Sequence, residues 1–84
     1  MTKIEIEQLK ILQSLSKDFV ECVKHKYIGQ EIFLTHSRGW HKICIRDMGT
    51  YHGDVRYYVD CYINNQIANT QVVTYDKIIW IKEQ

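Results

Sequence analysis

The chain has 84 residues, 45% of them hydrophobic and 25% charged, with a formal net charge of +1. That is the length of one domain, spanning 1–84, with too much apolar content for a disordered chain and no run near the roughly 18–20 apolar residues of a membrane span. A chain this short buries only about 60–65% of its unfolded surface, so a partner or a second copy can add stability.

Apolar residues change period at Gly29. Before it, Leu9, Leu12, Phe19, Val20, Val23 and Tyr27 recur every three or four residues and describe one face of a helix over about residues 2–28. Thr2 and Glu5 make a capping-box pattern at its start. Lys24, His25 and Lys26 suit its C-terminal dipole, and Gly29 is the left-handed residue that commonly ends a helix. Unbroken, such a helix runs roughly 40 Å, longer than a domain of this size, so it overhangs or breaks, around Ser14-Leu15-Ser16. A second apolar stripe, Ile4, Ile11, Leu15 and Cys22, lies beside the first and is the candidate contact between copies in a homo-oligomer.

After Gly29 the period is two. Strands are predicted at about 31–36, 41–47, 55–64, 67–74 and 77–82, with turns at Arg38-Gly39, Gly49–Gly53, Asn64-Asn65 and Tyr75-Asp76-Lys77. The fold class is α+β: one N-terminal amphipathic helix, then an antiparallel sheet of four or five strands or a small barrel. In the third strand Val55, Tyr57, Val59, Cys61 and Ile63 take one face, and Arg56, Tyr58, Asp60, Tyr62 and Asn64 take the other.

One helix followed by five short strands resembles the SH3-like small barrels, in particular the Sm-like family. The resemblance rests on Ile28-Gly29-Gln30-Glu31-Ile32-Phe33-Leu34, Arg38-Gly39-Trp40, and Gln71-Val72-Val73-Thr74-Tyr75-Asp76-Lys77-Ile78-Ile79, about 55 residues at the level of pattern. It implies a closed barrel, a ring of subunits and binding to RNA. Asp76 stands where that family's pore-side RNA site carries a base.

Charge is uneven along the chain. Residues 1–23 sum to −1; residues 24–46, with Lys24, Lys26, Arg38, Lys42 and Arg46 against Glu31, sum to +4; residues 47–84 sum to −2. Arg38, Trp40, Lys42 and Arg46 are therefore the candidate nucleic-acid strip. Arg56, Tyr58, Asp60 and Tyr62 are the candidate partner-binding patch, because tyrosine and arginine are enriched where proteins meet.

Catalysis and metal binding find little support. His41 and Cys44 point to opposite faces of a strand, and His52 with Asp47 and Asp54 is a sparse set, so no metal or cofactor is expected. Ser37 beside His36 lacks an orienting third group, and no glycine-rich phosphate loop occurs. Cys22, Cys44 and Cys61 are an odd number without paired spacing and read as buried thiols rather than disulfides. Acids among the apolar residues of Met1–Glu5 do not fit a signal peptide, so the expected location is the cytoplasm. The expected function is non-enzymatic. The chain occupies a macromolecular partner's surface, as a small phage-type inhibitor or adaptor of a host or defence complex does. Its partner is a protein, or nucleic acid on the Sm-like alternative, and not a membrane.

Overall fold

A computed structural model describes residues 3–34 and 39–83. Helices α1 (Ile6–Ile11) and α2 (Lys17–Val23), a 3-10 turn at Lys24–Lys26, strands β1 (Glu31–Phe33), β2 (Lys42–Tyr51), β3 (Asp54–Ile63) and β4 (Gln66–Val73), and helix α3 (Tyr75–Lys82) follow in order. The strands form an open antiparallel meander, β1-β2-β3-β4. The fold is α+β as expected, with a radius of gyration of 12.1 Å.

The predicted long helix is two short ones. Leu12 and Val20 are both in the core, one just after α1 and the other within α2, on either side of the break. The break satisfies its own polar groups. Ser16 accepts from the Phe19 amide at 3.3 Å to cap α2, while the Gln13 carbonyl accepts from Val55 N at 3.4 Å. Ser14 Oγ donates to the Gly53 carbonyl at 3.4 Å, so the kink sits against the β2–β3 turn. Two residues assigned by periodicity move as a result. Phe19, expected inside, is 49% exposed, and Cys22, expected buried, is exposed. Helix α1 starts with Glu5 as its N-cap rather than its third residue; Thr2 lies outside the described residues.

The β2–β3 and β3–β4 hairpins turn on residues at positive φ, His52 (51°) with Gly53 (82°) and Asn64 (51°) with Asn65 (66°). This is the paired left-handed geometry whose twist matches that of the flanking strands. The Asn64-Asn65 turn is where the sequence places it. The other is tighter than the expected Gly49–Gly53 loop, because β2 runs on through Gly49 and Thr50 to Tyr51.

The expected fifth strand over 77–82 is helix α3. Its β-branched run suggests a strand, but Ile78 and Ile81, one turn apart, are 0% and 2% exposed and close the core. Trp80 is turned outward with the Lys77 ammonium 3.9 Å from its ring centre. Burial at helical spacing overrides local propensity here. Helices and inward strand residues form a single core, including Leu9, Val20, Ile43, Ile45, Met48, Val59 and Ile78. At its centre Tyr57 is fully buried and its hydroxyl donates to the Leu9 carbonyl at 3.3 Å, tying α1 to β3. Burial pushes the Tyr57 phenol far above its usual range, so it stays a donor.

Candidate interaction face

The helices cover one face of the sheet, and among the described residues no layer covers the other. Register assigns that outer face row by row. Glu31 stands opposite Cys44, Cys44 opposite Asp60, and Asp60 opposite Thr70. Next come Phe33, Lys42, Tyr62 and Ile67. Beyond a bulge at Arg46, Asp47, Tyr58 and Val72 form a third row, and Gly49 pairs with Arg56.

Arg56, Tyr58, Asp60 and Tyr62 therefore project together from β3, each half-buried by its neighbours, between the buried Val55, Tyr57, Val59 and Cys61. Ile63, expected inside, is 37% exposed at the strand's end. The Tyr58 ring leans over Gly49; a Cβ there would lie 3.7 Å from its edge. Of the proposed basic strip, Lys42 and Arg46 join this same face. Trp40 does not: it packs on the core. Arg38 lies outside the described residues.

Three of the five cations of the +4 segment, Lys24, Lys42 and Arg46, lie against carboxylates in the fold. Lys42 Nζ lies 2.7 Å from Glu31 Oε2 and 4.8 Å from the Tyr62 ring centre. Glu31 is only 7% exposed, so this pair is largely withdrawn from water. The hydrogen bond to Glu31 raises the Lys42 pKa above 10.5. Arg46 Nε approaches Asp60 Oδ1 at 3.8 Å, and Lys24 Nζ approaches Glu21 at 3.2 Å and Asp47 at 3.7 Å. Arg56 places its guanidinium carbon 5.3 Å from the Tyr51 ring centre. Much of a basic block in the sequence is thus paired with carboxylates in the fold.

Three apolar members of this face escape a reading of the sequence: Phe33 at 41% exposure, and Ile67 and Val72 at 56% each. Strict alternation sends positions 67 and 72 to opposite faces. A bulge at Ala68, where the pairing steps from Cys61–Asn69 to Tyr62–Ile67, returns both to the outer one. Only the Gln/Ala/Asn composition of β4, poor for a regular strand, hints at it.

The proposed oligomer stripe is divided among separate places. Ile4 is in the core at 4% exposure, Leu15 packs on it from the break, Ile11 on α1 is 76% exposed, and Cys22 is exposed on α2. Ile11 borders an open groove of about 380 Å³ with Lys3, Gln8, Lys26, Tyr27 and Gln30.

Thiol chemistry is suppressed at two of the three cysteines. Burial raises the Cys61 pKa from 9.0 to about 11, and burial with nearby Glu31 and Asp60 raises that of Cys44. Among the described residues no group of three or more His, Cys, Asp or Glu is placed to hold a metal ion. No described helix is long and apolar enough to cross a membrane. Comparison with family models, curated proteins and solved structures gives no match.

Proposed function

We propose that this chain is a non-enzymatic binding protein that occupies the surface of a partner protein with the outer face of its sheet, as an inhibitor or adaptor. The observation that carries this reading is the composition of that uncovered face. Two tyrosines, Tyr58 and Tyr62, stand four residues apart on one strand face beside exposed Val72 and Ile67, and the charges between them already hold counter-charges. Tyrosine buries a large rigid ring at little entropic cost while its hydroxyl keeps a hydrogen bond, which is why such positions dominate interface energetics.

The internal pairing also weighs against a polyanion. A phosphate chain gains affinity by releasing counterions from unpaired cations, and here Lys42 and Arg46 have carboxylates within 4 Å. Nucleophilic chemistry finds no support in Cys44 or Cys61, whose raised pKa values keep them as thiols at neutral pH.

The test is capture from a native extract on the immobilised chain, with and without nuclease. Capture is expected to survive nuclease, to change little between low and physiological salt, and to fall by roughly tenfold or more in Tyr58→Ala/Tyr62→Ala. Capture that nuclease abolishes, that weakens steeply with salt and that Arg46→Ala/Arg56→Ala eliminates would overturn this reading in favour of nucleic acid.

A further inference from the structure

The two edges of the sheet are built differently. β1 has three residues, and the segment before α1 closes on it: Lys3 bridges Glu31 in parallel, and the Ile4 amide donates to the Glu31 carbonyl at 2.8 Å. β4 has eight residues, nearly all exposed, and among the described residues only β3 pairs with it. A strand of that length offers roughly 27 Å of edge, along which the Thr70 amide donates to Asn69 Oδ1 at 2.8 Å, a local bond that pairing with another strand would replace.

Sheet edges are normally guarded by lysine, proline, inward charge or brevity. β4 has none of these. The chain contains no proline, and no charged residue occurs over 61–75, although a quarter of the chain is charged. The bulge at Ala68 bends only the first part of the strand. Asn69–Val73 runs in unbroken register with Tyr57–Cys61, so a regular five-residue edge remains, centred on Gln71.

This neutrality selects the occupant. A two-fold axis at Gln71 sets Asn69 against Val73 and Thr70 against Val72 of the copy, so a charge near the axis would lie close to its like across the seam. A foreign strand chosen by charge would need complementary charges on β4, and there are none. Pairing also continues the outer face, since Val72, 56% exposed on that face, would lie at the seam. We propose that β4 is a self-association edge: two copies pair antiparallel through Asn69–Val73 about a two-fold at Gln71, joining two four-stranded sheets into one of eight strands.

Sedimentation and amide hydrogen exchange from dilute to near-millimolar protein test this without any partner, so the outcome is separate from that of the proposed function. The expected result is a monomer–dimer equilibrium in which alternate β4 amides exchange roughly tenfold more slowly at high concentration. Val72→Lys is expected to abolish both effects with an unchanged unfolding midpoint, while Ile11→Lys keeps them. A monomer at every concentration overturns the proposal. So does a dimer that survives Val72→Lys but not Ile11→Lys, or β4 protection that appears only when another protein is added.

Discussion

The two faces of this sheet are made from alternate residues of the same strands, yet they do opposite work. Along β3, Tyr57 is sealed under α1 with its hydroxyl on a backbone carbonyl, while Tyr58, its neighbour, lies on the outer face. On the inner face every position answers to the helices packed on it. On the outer face, among the described residues, half-burial comes from side chains along the sheet, through pairs such as Lys42 with Glu31 and Tyr62. Identical chemistry on a strand thus becomes core or contact surface according to which face receives a layer.

Substitution separates the two faces most sharply at the tyrosines. Tyr57→Ala is expected to cost about 3–5 kcal/mol, measured by denaturant unfolding, because it opens a cavity under α1. Tyr58→Ala is expected to stay within about 1 kcal/mol. A similar contrast holds on α3, where Ile78→Ala is expected to cost about 2–5 kcal/mol and Trp80→Ala much less. The reverse order at those two positions would mean that the segment packs as a strand. Tyr57→Phe, which removes only the hydroxyl, is expected to cost about 0.5–1.5 kcal/mol; Leu9 O keeps its bond from Leu12 N.

Alkaline pH probes a buried thiol on the inner face and an ion pair on the outer one. Cys61 titrates at 9.0 when unfolded and about 11 when folded, so the folded state holds its proton more tightly. Its contribution is intact below pH 9 and is lost as pH rises from 9 to about 11. Lys42 is also raised, so its pairing with Glu31 is intact below 10.5 and fades as pH rises through its higher folded value. Urea midpoints are therefore expected to fall from pH 9 upward, and Cys61→Ala to flatten the 9–11 window. The smallest effect is chemical: iodoacetamide is expected to label Cys22 in the native protein and to reach Cys44 and Cys61 only on unfolding.

What the sequence makes legible follows from how local each signal is. Alternation in β3 and the Asn64-Asn65 turn depend on neighbouring residues, and both stand in the fold as read. The kink at Ser14–Ser16 was readable because a rod of that length cannot fit so small a domain. Long-range demands were not readable. Ile78 and Ile81 become helical because the core needs them one turn apart, and Ile4 is held inside where Lys3 bridges Glu31 and the Ile4 amide donates to the Glu31 carbonyl. The outer face was half legible. Its tyrosines follow from parity, whereas Ile67 and Val72 join them through a bulge, and the carboxylates that match Lys42 and Arg46 come from distant segments.

One measurement on a single sample bears on all of this: the unfolding free energy of Tyr58→Ala/Tyr62→Ala together with its capture of the partner protein. A molecule with one face for folding and one for binding keeps its stability to within about 2 kcal/mol and loses capture by at least roughly tenfold. If stability collapses with capture, or capture persists undiminished, the outer face is not a docking surface and the account is wrong.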